Sequence, residues 1–458
     1  MKPLKLLFIA HLWTPLHNAG GETTAHGFMR SMVERGHSAE VICKPAESEP
    51  KFDTYVHEGV KVTRPPEDLR YLHSWILDYI RKYDPDLICT HLDLTFTAMQ
   101  AALDTDKPLI HFVHNSDQLN FHRVSPLRCQ LAIFNSQWIA ETQHWQGPQI
   151  IIHPVIEPER YCSPKGEKIT LVNPTPGKGE ATFYGLSRLM RDSQFLVVKS
   201  VYGEQVFPPA IPAGNFPNVE FMQHTADIRE VFRKTRVVLM PSLYESYGRV
   251  AVEAACAGIP AIVHPTEGLL ESLGADRPEW LIEFTRAKLK NERTPTPEQL
   301  KGGWVSGAGI FCDRDDLQSW QLQIERLYSD EVYYRSRSDA ALKLASTLDP
   351  ESEYDRLEEA LISTADIWLK RNEVAKVKMW VSDRRIWETT DGLVAEVNGR
   401  IPQNATRLAV GIGGEMPEEV AMRYGFIPDT RPQAKAIEGP AENKAISAPQ
   451  ENKKRKSA

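Results

Sequence analysis

The sequence has no closely spaced cysteines, no long apolar run and no surplus of positive charge. Its six cysteines, Cys43, Cys89, Cys129, Cys162, Cys256 and Cys312, are scattered over 458 residues. Zinc-binding and redox motifs need cysteines about two to four residues apart, so this spacing excludes them and reads as reduced thiols in a cytoplasmic protein. No apolar stretch approaches the ~20 residues that cross a bilayer. The opening run KLLFIA is followed by His11, Trp13 and Pro15 rather than by a small-residue cleavage site, so it reads as a first strand and not as a secretion signal. Lys and Arg number 54 against 61 Asp and Glu, a net charge of −7. A chain dominated by nucleic-acid phosphates would show the opposite balance. A local basic patch is still compatible with that charge, so a nucleic-acid partner stays among the alternatives.

What is present is an alternation. Short apolar runs (KLLFIA, SAEVIC, DLICTHL, PLIHFVHN, LAIFNS, QIIIHP) are separated by stretches of helical period, such as TTAHGFMRSMVER with Ala25, Phe28, Met29, Met32 and Val33 on one face. Around residues 154–168 Pro, Glu and Gly crowd together, and the alternation then restarts with KITLVN, QFLVVK, VEFM, VVLMPS, AIVH and AGIFC. Strands alternating with helices imply parallel sheets covered on both faces. The expected fold class is therefore α/β, with two Rossmann-like doubly wound parallel-sheet domains facing a cleft, over residues 1–155 and 156–345. A helix over 346–375 should cross back to the first domain. A small α+β appendage is expected over 376–427, with turns at Asp391-Gly392 and Asn398-Gly399. A disordered tail is expected over 428–458, where Pro, Ala, Lys, Asn and Glu dominate.

The stretch ESYGRVAVEAACAGIP, residues 245–260, carries the chemistry. It comes after the apolar strand VVLMPS, and Gly258 with Pro260 mark the end of a helix. Glu245 falls in the loop at the strand's carboxyl end. Ser246, Tyr247 and Gly248 fall in the first helical turn, and Glu253 lies about two turns farther in. A helix start presents unpaired N–H groups and partial positive charge, which suit a phosphate. The carboxylates suit paired hydroxyls, each charged acceptor being worth roughly 1.5–3 kcal/mol. A nucleotide sugar has diols at both ends and phosphates between them.

This stretch resembles the Glu, seven residues, Glu motif of retaining glycosyltransferases of the GT-B fold, in particular glycosyltransferase family 4 (glycosyl transferases group 1), and the resemblance covers roughly residues 1–371. It implies that Glu245 holds hydroxyls of the donor sugar and Glu253 the ribose diol, with Ser246, Tyr247 and Gly248 contacting sugar and phosphates. In NPTPGKG, Lys178 takes the place of the family's diphosphate-neutralising lysine. Asn173 and Pro174 stand where an arginine is frequent, so one positive partner is missing. Gly21, in HNAGGET, is placed near the donor's phosphates or sugar by a glycine-rich loop. His114 is placed facing the transferred sugar, His91 on the acceptor side, and His224 and Thr225 near the base. The resemblance thus implies a hexosyltransferase acting on a nucleotide-diphosphate sugar without metal or cofactor.

Other features are bland by comparison. The acid pairs Asp84/Asp86 and Asp104/Asp106 precede strands, away from the cleft-facing ends, and do not read as metal ligands. The amphipathic helix through Leu72, Trp75, Ile76, Tyr79 and Ile80 reads as core-facing. The terminal KKRK reads as a basic end of a tail. Two further readings of the cleft stay open: a non-catalytic nucleotide- or sugar-binding module, and an inverting enzyme or sugar-nucleotide epimerase. The acceptor is not legible.

Overall fold

Aliphatic runs become strands buried on both faces. The computed structural model describes residues 3–44, 54–65, 71–116, 129–143, 145–374, 379–389, 392–397, 400–424 and 426. The tail over 428–458 and the Asn398-Gly399 turn lie outside the described residues. The first sheet contains β1 (Lys5–Ala10), β2 (Ser38–Cys43), β3 (Thr54–His57), β4 (Val60–Thr63), β5 (Leu87–Thr90), β6 (Leu109–Val113), β7 (Cys129–Phe134) and β8 (Gln149–Ile151). Its order is β3-β4-β2-β1-β5-β6-β7-β8, parallel except for the antiparallel β3–β4 edge. That hairpin is absent from the sequence reading because TYVH and VKVT are short and half polar.

Helices cover both faces: α1 (Gly20–Glu34), α2 (Leu72–Tyr83), α3 (Thr95–Asp104) and α4 (Gln137–Gln143). On α1 the face through Ala25, Phe28, Met29 and Met32 is buried, as its period requires, with Val33 half-buried. Ile76 and Ile80 of α2 are fully buried, so this helix faces the core. Each such aliphatic side chain contributes roughly 1.5–3 kcal/mol when taken fully from water.

The second sheet contains β9 (Lys168–Val172), β10 (Phe195–Val198), β11 (Val219–Met222), β12 (Thr235–Met240), β13 (Ala261–Val263), β14 (Trp304–Ser306) and β15 (Gly309–Phe311), in the order β11-β10-β9-β12-β13-β15-β14. Its pairings are parallel except for the antiparallel β14–β15 edge. Its helices include α5 (Glu180–Leu189), α6 (Arg249–Cys256), α7 (Glu267–Ser272) and α8 (Glu331–Ser346). At the end of α6, Gly258 adopts φ +65°, the left-handed cap its sequence announces.

The long helix α9 (Pro350–Val374) returns to the first domain. Its Tyr354, Leu357, Leu361 and Ala365 are buried in one cluster with Phe28 and Phe112. Arg35 reaches Asp355 at 2.6 Å and Glu351 at 2.7 Å from its own side of that contact. Beyond α9 the described residues form β16 (Met379–Val381), β17 (Ile386–Thr389), β18 (Gly392–Ala395), β19 (Ala405–Val410), β20 (Glu415–Pro417) and α10 (Glu418–Arg423). The strands pair as β16–β20 and β18-β17-β19. This appendage docks on the first domain, where Trp387 stacks on Phe96 of α3 with ring centroids 6.2 Å apart and Leu408 joins the core cluster of that domain.

Each sheet contains one reversal of strand order. In the first the chain runs outward from β1 in both directions, and in the second from β9. The connections leaving the carboxyl ends of β1 and β5 therefore splay apart, as do those leaving β9 and β12, and crevices open there in which side chains and ligands fit.

Candidate functional site

The two crevices face each other across one cavity of about 640 Å³. His11 and Asp93, beyond β1 and β5, line it from one side, and Asn173, Lys178 and Glu245, beyond β9 and β12, from the other. All of Gly21, His114, Lys178, Glu245, Ser246, Tyr247, Gly248 and Glu253 line this single space, as do His224 and Thr225. No described residue of the appendage does.

Local structure differs from the sequence reading in two places. Helix α6 begins at Arg249, so Ser246, Tyr247 and Gly248 form a loop ahead of it rather than its first turn. Gly248 has φ +91°, and a Cβ there would lie 2.5 Å from Leu269 Cδ2. A left-handed residue without a side chain is needed to bring the loop into the helix, and the helix starts one turn later than polar-residue signals suggest. Conversely, Gly20-Gly21 is not a loop but the first turn of α1. Gly21 stands against Leu92 and His114, at ordinary contact distance for a Cβ.

The two carboxylates are each held by a cation. Lys178 Nζ lies 2.5 Å from Glu245 Oε1. It reaches there from a 3₁₀ turn whose next residue, Gly179, has φ +84° and would place a Cβ 2.5 Å from the Pro241 carbonyl oxygen. Lys178, expected to face a diphosphate, is thus engaged by Glu245. Glu253, on the second turn of α6, accepts at Oε1 from Arg249 Nε at 3.0 Å, with the Arg249 terminal nitrogen also 3.0 Å away. Arg249 donates further to Thr24 Oγ1 and Tyr161 OH, both at 3.0 Å, and to the Val155 carbonyl at 3.4 Å. It joins both domains and the linker in one buried hub. Sequence reasoning did not single it out, although its place four residues before Glu253 is the spacing of a helical ion pair.

His114 is buried, and its Nε2 has no hydrogen-bond partner among the described residues. Burial, reinforced by Arg249, holds its imidazole down at about 4, so the ring is neutral at physiological pH. His91 does not reach the cavity. It is fully buried beneath His114, with ring centroids 5.1 Å apart, and packs on Phe8 and Trp13. The acceptor role expected of it is therefore corrected: a strand-end histidine can point into the core as readily as out of it. Tyr247 lines the cavity, but its side chain is buried with Ile156, Val252, Cys256 and Ala345.

Several bonds close the cavity between the domains. Asn135 Nδ2 donates to Ser246 Oγ at 3.0 Å, Trp138 Nε1 to the Ser246 carbonyl at 2.8 Å, and Ser116 N to Tyr244 OH at 2.8 Å. Tyr202 OH donates to Glu22 Oε1 at 2.5 Å, and its ring packs edge-on against His17. Neither Tyr202 nor Glu22 carried a sequence signal, since each acquires its role only from the other domain.

A second junction lies at Glu271 of α7. Its carboxylate accepts from Gln137 N at 2.7 Å, Trp138 N at 3.2 Å and His153 Nε2 at 2.9 Å. Burial pulls the His153 imidazole down, but its bonds to Glu271 and Glu353 outweigh this and raise it to about 9. A folded-state value above the ordinary one of about 6.5 gives stabilisation that is complete below about pH 6.5 and is lost as pH rises through about 9. The difference in melting temperature between the native protein and His153→Ala is expected to be largest near pH 6 and to shrink steadily toward pH 10. A difference that does not vary with pH would remove this ion pair from the interdomain contact.

Of the four acids in the pairs Asp84/Asp86 and Asp104/Asp106, Asp84 accepts from Lys107 at 2.6 Å, Asp86 from the Lys5 amide at 2.8 Å, and Asp104 bonds His73 at 2.8 Å. All six cysteines are free thiols. Among the described residues no helix is long and apolar enough to cross a membrane.

Comparison with known proteins bears on the family and the fold. Glycosyltransferase Family 4 matches residues 19–160, and Glycosyl transferases group 1 matches residues 209–293. No match is found among curated proteins. Sucrose-phosphate synthase from Thermosynechococcus elongatus shares the fold with a TM-score of 0.59 at 15% identity, over 79% of this chain and 100% of its own. The catalytic domain of starch synthase IV from Arabidopsis thaliana, bound to ADP and acarbose, gives 0.56 at 13%, over 80% and 100%. The pneumococcal O-GlcNAc transferase in complex with UDP and GlcNAc gives 0.54 at 10%, over 79% and 99%. At these identities the likeness is one of fold.

Proposed function

Given that this chain is a glycosyltransferase of family 4 with the two-domain GT-B fold, we propose that it moves a hexose from a nucleotide-diphosphate sugar to an acceptor hydroxyl with retention of configuration and without a metal ion. The observation that carries this reading is the joint placement of Glu245 and Glu253 on one cavity wall, flanking the amino end of α6, opposite His114 of the other domain. Glu253 binds the ribose diol through the oxygen that Arg249 leaves unused. Glu245 and its partner Lys178 orient the sugar hydroxyls. No side chain caps the start of α6; the Ala251 amide donates to the Gly248 carbonyl at 3.1 Å, and the Arg249 and Val250 amides ahead of it face the diphosphate. Neutral His114 contributes an unpaired ring nitrogen to the sugar.

The bond from the anomeric carbon to the phosphate oxygen breaks, and the acceptor oxygen bonds to that carbon from the same face. The acceptor's proton passes to the departing phosphate oxygen, so no protein base is required. Closure of the two domains excludes water from the intermediate charge separation. The free thiols fit a reducing cytoplasm.

A non-catalytic binding module is the second reading, favoured by the absence of a charged side chain at Asn173. A panel of UDP-, ADP-, GDP- and dTDP-linked hexoses separates the two. Slow release of nucleoside diphosphate from one of them is expected, with the retained anomeric configuration visible in the proton coupling of the transferred product. Calorimetric binding of a donor without turnover, in the presence of an acceptor mixture, would favour the module. Inverted coupling would favour the inverting enzyme.

A further inference from the structure

Charge in the cavity is largely cancelled from within. Among the described residues three cations line it, Lys178, Lys199 and Arg249, all from the second domain. Lys178 is taken by Glu245 and Arg249 by Glu253. The first-domain wall adds the carboxylates of Glu22 and Asp93 and, among the described residues, no Lys or Arg. A diphosphate entering this space meets two satisfied cations, two further acids and a single cation that no carboxylate of the described residues neutralises. That cation is Lys199.

Its placement is fixed by the sheet. Strands β9 and β10 are adjacent and parallel, with Val172 opposite Val198, so Asn173 and Lys199 emerge side by side at the same carboxyl edge. The Asn173 amide donates to the Val198 carbonyl and the Lys199 amide to the Met222 carbonyl, both at 2.9 Å. The next residue is braced too: Ser200 and Gln205 exchange two bonds of 2.7 Å. The Lys199 ammonium stands 6.0 Å from the centroid of the Phe207 ring, at the outer limit of a cation–π contact. Such a contact supports the side chain without cancelling its charge.

We infer that Lys199 is a donor-binding residue, supplying the uncompensated positive charge that holds the diphosphate. The inference rests on the nucleotide-sugar reading of the cavity. Neither composition nor spacing distinguishes this lysine from any other at a strand end.

Calorimetry of the full chain with UDP, ADP, GDP and dTDP first identifies the diphosphate that binds, and the same titration is repeated with the corresponding nucleoside. Lys199→Ala is expected to weaken the diphosphate at least about tenfold while changing nucleoside affinity by less than about twofold, and Lys199→Arg to restore it. An undiminished diphosphate affinity in Lys199→Ala, or an equal loss for the nucleoside, would overturn the assignment while leaving the nucleotide-sugar reading standing. Absence of binding of all four diphosphates to the native chain would instead overturn that reading, and this inference with it.

Discussion

Glu245→Ala is expected to lower sugar transfer by about 10²- to 10³-fold while the protein stays folded. Glu245 is buried, but its partner Lys178 keeps a third of its side chain exposed. Removing the carboxylate therefore leaves a lysine that water can still reach, and an ion pair of this kind is worth only about 0–1 kcal/mol. The melting temperature should fall by no more than about 4 °C. Under the proposed function the kinetic loss has a different origin, because there the carboxylate accepts from sugar hydroxyls whose positions shift as the anomeric carbon flattens. The pairing adds a second expectation. If Glu245 and Lys178 act as one unit, Lys178→Ala should be impaired on a similar scale and the double variant hardly more than either single one. Turnover of Glu245→Ala near the native value would remove this residue from the mechanism, and full additivity would separate the two roles.

The largest effect on stability is expected from Arg249→Ala. Both of the contacts to Glu253 and those to Thr24, Tyr161 and Val155 vanish together, and the Glu253 carboxylate is left buried without a cation. Breaking a buried pair on one side costs about 3–5 kcal/mol, or roughly 10 °C in melting temperature for domains of this size. Glu253→Gln in the same background should recover part of the loss, since it removes the stranded charge while keeping a hydrogen-bonding group. Alone, Glu253→Gln should act mainly on nucleotide affinity, through the ribose. An Arg249→Ala variant that melts at the native temperature would show that the hub contributes nothing to the folded state.

Arg249 also shows how legibility was distributed. The strands were readable because a parallel sheet covered on both faces needs continuous apolar runs, and KLLFIA, SAEVIC and VEFM coincide residue for residue with β1, β2 and β11. The β3–β4 hairpin was not, because a short edge open to water carries no such run. Helix ends were read less well than helix faces. Ser246 looked like a first-turn residue, yet the left-handed Gly248 sets the start at Arg249. Gly20-Gly21 looked like a loop, yet α1 begins at Gly20, with Gly21 set against Leu92 and His114. Propensity is a weak local bias there, and tertiary contacts override it.

His91 and His114 make the same point within the site. Each stands one residue past an apolar strand, and the sequence offers no reason to separate them. The sheet turns one into the core and leaves the other at the cavity.

The chain's own order of residues determined the alternation of strands and helices, the seven-residue interval between Glu245 and Glu253, and the pairing of Arg249 with Glu253, because each is set by backbone period over a few residues. Which charges cancel was decided by the tertiary structure alone. Lys178 meets Glu245 across 67 positions and Tyr202 meets Glu22 across 180, and Lys199 is left without a carboxylate partner among the described residues. Electrostatic pairing depends on distances of a few ångströms between segments far apart in the chain, and only the packing of two sheets against each other fixes those distances.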